Sequence, residues 1–100
     1  RGDFMENKTL FVCISGRVQG VGFRHFAYRK ANRYQLKGYV KNLPDGRVEV
    51  LAEGDKNKLE QFLSELKSGP GFADVENLDI QWREYEGNYQ EFSIGGRSRF

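Results

Sequence analysis

A glycine-rich stretch that ends in an arginine is the part of this sequence best suited to chemistry. It covers residues 16–24 and reads Gly-Arg-Val-Gln-Gly-Val-Gly-Phe-Arg. Gly16, Gly20 and Gly22 can adopt positive φ angles, which lets neighbouring backbone N–H groups converge on one point. Arg24 adds a planar, permanently charged guanidinium whose donors match phosphate oxygens. The stretch therefore predicts a loop that binds an anion.

A strand and a helix are predicted on either side of this loop. Residues 10–14 form an apolar run that is typical of a buried strand. After the loop, apolar residues recur on one face of a helix: Phe23, Phe26, Ala27, Ala31 and Tyr34. The loop then lies directly before a helix N-terminus, where unpaired N–H groups favour a bound anion.

Two common phosphate-binding motifs do not fit this stretch. A Walker A loop requires Lys and then Ser or Thr after its last glycine, and Phe23 and Arg24 stand there instead. The G-x-G-x-x-G spacing of dinucleotide-binding proteins is also missing, and no acidic residue is placed to bind a ribose. From these residues alone, a tight turn with a surface arginine stays open as a purely structural interpretation.

The order of the remaining elements predicts the fold. We predict strands at residues 9–15, 36–43, 47–53, 75–85 and 90–94, and helices from residue 21 or 22 to 34 and from Asp55 to Gly69. The order β-α-β-β-α-β, with a short extra C-terminal strand, indicates an α+β, ferredoxin-like α/β sandwich. Its sheet should be mainly antiparallel, with two helices on one face. The second helix should pack on the core through a stripe of four apolar residues: Leu59, Phe62, Leu63 and Leu66.

This topology brings a second polar residue, Asn42, near the loop. The first two strands point the same way because a helix returns the chain between them. Gly16 and Asn42 should therefore meet at the same edge of the sheet, where open α/β sheets usually bind ligands. An uncharged amide there can hold and orient a water molecule without repelling a phosphate. The alternative is an asparagine that only caps the turn at Pro44-Asp45-Gly46.

Composition narrows the class of protein. One hundred residues suit one domain with its own core, and we place it at residues 8–96. Residues 1–7 are expected to be disordered or left over from an expression vector, and residues 97–100 to form a tail. A net charge of +2 is too small to indicate a nucleic-acid partner, and no apolar run is long enough to span a membrane. No signal peptide is visible and the one cysteine cannot form an internal disulfide, so we expect a cytoplasmic protein, and we also expect a monomer.

Three further side chains have both a functional and a structural interpretation. His25, beside Arg24, could act as a general base or phosphate acceptor, but we predict a solvent-facing helix residue. Cys13 is predicted to be a small buried apolar residue rather than a reactive thiol. Trp82 is expected to lie in the core together with Leu78 and Ile80, rather than to serve as a platform for stacking bases.

The glycine-rich stretch resembles the signature of the acylphosphatase family. A second stretch resembles that family's other motif; it covers residues 38–49 and reads Gly-Tyr-Val-Lys-Asn-Leu-Pro-Asp-Gly-Arg-Val-Glu. Both motifs occur in the family's order and at a similar separation, and the resemblance extends from about Lys8 to Ile94.

The resemblance implies a metal-independent hydrolase that splits acyl phosphates, which are carboxyl-phosphate mixed anhydrides, into a carboxylate and phosphate. Carried over, Arg24 binds the phosphoryl group and Asn42 positions the attacking water. Backbone amides complete the phosphate site at Arg17, Val18, Gln19, Gly20, Val21, Gly22 and Phe23. No cofactor is implied, and the matched residues include no general base, so a phosphate oxygen of the substrate is expected to take the proton.

Two alternatives to a stand-alone enzyme are kept. The same fold could be a non-catalytic module that binds an anion or a partner, although the expected exposed sheet face offers little for stacking bases beyond Phe11. The chain could also be an acylphosphatase-like domain of a larger carbamoyl-transfer enzyme.

Overall fold

The structure, a computed structural model, describes residues 6–95. Residues 1–5 of the N-terminal segment predicted at 1–7, and all of the tail predicted at 97–100, lie outside this range. The elements are β1 (Asn7–Arg17), α1 (Phe23–Arg33), β2 (Lys37–Asn42), β3 (Val48–Asp55), α2 (Lys56–Ser68), β4 (Asp74–Glu84) and β5 (Phe92–Ile94). This order is the predicted one, and β1 is longer than expected because it begins at Asn7 and continues through Gly16 to Arg17.

The five strands form one sheet in the order β4-β1-β3-β2-β5. Strand β3 pairs antiparallel with both β1 and β2, so β1 and β2 run in the same direction. Their carboxyl ends therefore lie at one edge of the sheet, as predicted. The short strand β5 pairs parallel with β2, which makes the sheet mixed rather than wholly antiparallel.

Both helices cover the same face of this sheet. Alternate residues of the central strand β1, Leu10, Val12 and Ile14, are fully buried. They share one apolar core with residues from both helices, including Phe23 of α1 and Phe62 of α2. Every second residue of the strands and one face of each helix thus place apolar side chains in the same core. The predicted ferredoxin-like α/β sandwich is confirmed.

Helix α2 follows its sequence pattern closely. Leu59, Phe62 and Leu66 are completely buried, while Leu63 lies at the margin of the core. Asp55 is the N-cap, as predicted, and its side chain accepts a hydrogen bond from the Lys58 amide at 3.3 Å.

The prediction that Trp82 and Ile80 lie in the core is wrong. Both share the helix-facing side of the sheet, since they pair with Leu10 and Val12 of β1. However, β4 is the edge strand, and Trp82 and Ile80 keep 41% and 38% of their surface exposed. Alternation showed which residues share a face, but not that the helices leave this edge of the face uncovered.

Cys13 is only partly buried, because it points to the face of the sheet that carries no helix. Burial is still the main influence on it and raises the pKa of the thiol. No helix among the described residues is long and apolar enough to cross a membrane.

Candidate functional site

A pocket of about 170 Å³ lies where the loop after β1, the start of α1 and the end of β2 come together. Its lining contains residues from both sequence motifs and one from β5: Val18, Gly20, Gly22, Phe23, Arg24, His25, Asn42 and Ile94. The predicted convergence of the glycine-rich loop and Asn42 is therefore present in the fold.

Two glycines give the loop its shape. Gly20 and Gly22 have φ angles of 75° and 82°, in the left-handed region that other residues rarely adopt. A Cβ would find open space at both positions, so glycine is required by the backbone angle and not by crowding. Gly22 is also the N-cap of α1, and it brings the loop directly into the first helical turn.

The backbone amides of the loop and of the first helical turn are free of protein acceptors. Within residues 6–95, no N–H group from Val18 to His25 donates a hydrogen bond to another residue. The first amide in this region with an acceptor is that of Phe26, which binds the Gly22 carbonyl at 3.0 Å. Because the N-cap Gly22 has no side chain to accept these amides and the first turn has no acidic residue, the helix start presents its donors and the positive end of the helix dipole to an anion.

Arg24 supplies the fixed positive charge of the pocket. Its side chain is exposed, and it makes no hydrogen bond or ion pair with any other described residue. By contrast, Arg47 at the β2–β3 turn is bound to Asp45 at 2.9 Å. The guanidinium of Arg24 therefore keeps its full set of donors for a ligand.

Asn42 carries a buried hydrogen-bonding atom with no partner. Its Oδ1 and Glu53 Oε1 are the two such side-chain atoms among the described residues. The turn that follows is closed by other groups, since Gly46 donates to Leu43 O at 3.1 Å and Asp45 accepts from the Arg47 amide. Asn42 is therefore not a turn cap; its side chain lines the pocket, while its Oδ1 is enclosed by protein without a hydrogen-bond partner.

A contact that the sequence did not reveal holds the loop against the β2–β3 turn. Gln19 Nε2 donates to Leu43 O at 2.8 Å and to Arg47 O at 2.9 Å. Leu43 directly follows Asn42, so this side chain fixes the loop relative to the asparagine. We had predicted only a role for the backbone amide of Gln19, because residue type and spacing do not show where a flexible side chain reaches.

The other predicted loop positions differ in location. Arg17 is the last residue of β1, paired with Asp74, and Val21 packs partly against the core; neither lines the pocket. His25 is exposed, as predicted, but it does line the pocket. Ile94 also lines it and was missed, because only the parallel pairing of β5 with β2 brings residue 94 to this place.

Within the described part of the chain, no group of three or more His, Cys, Asp or Glu residues is arranged to hold a metal ion. The lining of the pocket itself contains no carboxylate. Its polar character comes from backbone amides, one guanidinium, one amide side chain and one imidazole. Such a set can bind an oxyanion and hold a neutral molecule such as water beside it.

Comparisons with known proteins agree with this site. A family model described as Acylphosphatase matches residues 10–94, which include both motifs. A curated protein named Acylphosphatase, from Thermus thermophilus, is 56% identical over 78 residues, covering 78% of this chain and 89% of that protein.

Solved structures give the same result for the fold. The crystal structure of acylphosphatase from Bacillus subtilis superposes with a TM-score of 0.86 at 39% identity, over 89% of this chain and 99% of that one. A full-length HypF, crystallised in a phosphate- and nucleotide-bound form, matches 96% of this chain with a TM-score of 0.82 and 30% identity. Only 13% of that longer chain is covered, so this fold also occurs as a small part of a larger protein.

Proposed function

This chain belongs to the acylphosphatase family, and we propose that its loop amides and Arg24 bind the phosphoryl group while Asn42 orients the attacking water. The reaction is the hydrolysis of an acyl phosphate to a carboxylate and inorganic phosphate. The assignment of roles to residues rests on the geometry of the pocket.

The phosphoryl group fits the loop and the start of α1. The free amides between Val18 and His25 can donate to its non-bridging oxygens, and the end of the helix dipole adds positive potential. Arg24 can bind two oxygens at once through its guanidinium fork. In phosphoryl transfer, charge spreads over these oxygens in the transition state, so fixed donors there stabilise it directly.

Asn42 supplies the site for water. Asn42 lines the pocket, so its side-chain amide can form a hydrogen bond with the water and leave a lone pair of the water free to approach phosphorus. The amide is uncharged, so it does not repel the phosphoryl group as a carboxylate would. Gln19 supports this arrangement because it ties the loop to the residue that follows Asn42.

The bond changes balance without a protein base. The water oxygen forms a bond to phosphorus while the bond from phosphorus to the acyl oxygen breaks, and the carboxylate leaves with the electron pair. A phosphoryl oxygen takes the proton of the water. No carboxylate lines the pocket to take it, and the leaving carboxylate is a weak base that needs no protonation.

The convergence of Asn42, Arg24 and the glycine-rich loop on one pocket is the observation that carries this proposal. Asn42→Ala should lower turnover of an aromatic acyl phosphate by roughly 100-fold or more, about 2.7 kcal/mol or more of transition-state stabilisation. Inhibition by inorganic phosphate should stay close to that of the wild type, because the loop and Arg24 are intact.

The matched control is Asn32→Ala, since Asn32 is exposed on α1 and does not line the pocket. All assays are run with a chelator present, and folding is checked by thermal melting. Near-normal turnover in folded Asn42→Ala protein would remove Asn42 from the mechanism. A large loss of phosphate inhibition would make it a binding residue instead.

A further inference from the structure

The pocket has two lining side chains that the proposed roles do not use, His25 and Ile94. Both belong to exposed residues, with 37% of the surface of Ile94 accessible. An isoleucine that stays this exposed at the wall of a polar pocket adds nothing to phosphoryl binding, because its side chain has no donor. Its chemistry fits the other half of an acyl phosphate.

Ile94 is held in place by the sheet. It pairs in register with Val40 of β2, and the following amide, Gly95 N–H, donates to Val40 O at 2.6 Å. Phe92, at the start of β5, is buried and packs edge-on against Phe62 with ring centroids 6.2 Å apart. The apolar wall is therefore formed before a ligand arrives, which lowers the entropy cost of binding to it.

His25 is the second of these lining side chains. It lies one residue after Arg24, in the first turn of α1, and its ring is tilted against Tyr28 at 6.2 Å between centroids. A flat ring in this position can contact an aromatic or planar group. Among the side chains that line the pocket, Arg24 is the one fixed cation, and the phosphoryl group occupies it.

We propose that His25 and Ile94 form the subsite for the acyl group, and that this subsite selects a neutral, apolar acyl group such as an aromatic one. The inference rests on the proposed function, because it assumes that the phosphoryl group lies on the loop and Arg24. Contacts with the acyl group change little as the bond to phosphorus breaks. They should therefore lower KM more than they raise kcat.

The test compares benzoyl phosphate with acetyl phosphate, whose small acyl group reaches less of this wall. Ile94→Ala should raise KM for benzoyl phosphate roughly 10-fold, the low end of what a missing apolar contact costs an enzyme in discrimination. KM for acetyl phosphate and inhibition by inorganic phosphate should change by less than about twofold, because they depend on the loop and Arg24. The matched control is Ile80→Ala, since Ile80 is an equally exposed isoleucine on β4, 38% accessible and outside the pocket.

His25 is tested in the same assay. His25→Ala should raise KM for benzoyl phosphate but not KM for acetyl phosphate. His25→Phe should bring KM for benzoyl phosphate back towards the wild-type value, because the proposal requires a flat ring and not an exchangeable proton.

Three results would overturn the proposal. One is an equal rise in KM for both substrates in Ile94→Ala. Another is an equal rise in KM for benzoyl phosphate in the control Ile80→Ala. The third is wild-type protein that hydrolyses neither substrate, which would overturn the proposed function as well and so differs from a failure of the subsite alone.

Discussion

The two helices of this protein begin in opposite ways. Helix α2 starts at Asp55, whose backbone is extended and whose side chain accepts the Lys58 amide, while the Lys56 amide donates to the Glu6 carbonyl at 2.8 Å. Helix α1 starts at Gly22, in the left-handed region, with no side-chain cap. The protein thus provides acceptors for two amides in the first turn of α2 and leaves the first turn of α1 open.

The other ends of the helices show that this difference is local. Both helices carry basic residues in their last turn, Lys30 and Arg33 in α1 and Lys67 in α2, which suits the negative end of the helix dipole. Neither has an acidic residue in its first turn. Only the cap differs, and a glycine in place of a capping side chain costs only a few tenths of a kcal/mol of stability, which a ligand that binds the free amides can recover.

The largest expected effect comes from removing the charge beside the open helix start. Arg24→Ala should lower turnover by roughly 10²–10³-fold, since the transition state loses a charged donor. Inhibition by inorganic phosphate should weaken strongly as well, which separates this variant from Asn42→Ala. The melting temperature should not fall, because Arg24 has no protein partner in the described structure.

Arg29→Ala is the control for Arg24, since Arg29 is exposed on the same helix and lies outside the pocket. Arg24→Lys keeps the charge but loses the fork of donors, so we expect it to stay strongly impaired. Retention of phosphate inhibition in Arg24→Ala would show that the open amides bind the anion without the arginine.

A smaller effect is expected where the loop is tied to the β2–β3 turn. Gln19→Glu has the same shape, but it places a carboxylate against the carbonyl oxygens of Leu43 and Arg47 and so removes both hydrogen bonds. Turnover should fall roughly 10- to 100-fold, because small shifts between a phosphoryl group and its nucleophile are costly. Inhibition by inorganic phosphate should change less than turnover does.

In Gln19→Glu, the loss of turnover compared with the loss of phosphate inhibition decides the role of Gln19. If the side chain only stabilises the fold, the melting temperature would fall while folded protein kept its normal kcat. Gln61→Glu is the matched control, as Gln61 is exposed on α2. Equal losses of turnover and of phosphate inhibition would place the damage in the loop itself and not in its position relative to Asn42.

Sequence reasoning found the open helix start because its signals are local. Positive φ at Gly16, Gly20 and Gly22 follows from glycine chemistry, and the capping role of Asp55 follows from its place before an apolar stripe. The convergence of Asn42 on the loop needed one further step, the topology of two parallel-oriented strands. The first two inferences use spacing within one element, and the third uses only the order of the elements along the chain.

Features that depend on contacts between distant elements were missed. Gln19 reaches the carbonyl of Leu43, 24 residues further along the chain, and Ile94 reaches the pocket through the pairing of an edge strand. Trp82 was misplaced for the same reason, since its exposure depends on how far the helices extend over β4. The alternation of apolar residues along a strand does not show how far the helices extend across the sheet.

The smallest effect, and the sharpest test of the comparison, lies at the other helix. Asp55→Ala removes the acceptor for the Lys58 amide and should cost about 1 kcal/mol of unfolding free energy. The hydrogen bond is long, at 3.3 Å, which favours this value over the upper end of about 2 kcal/mol for caps. In a domain of this size the melting temperature should fall by roughly 4–8 °C.

Turnover and phosphate inhibition should stay at wild-type levels, because α2 does not contribute to the pocket. Asp55→Ser keeps a capping oxygen and should recover most of the loss. A fall in turnover without a fall in melting temperature would mean that the start of α2 takes part in function, and the contrast between the two helices would then not separate stability from catalysis.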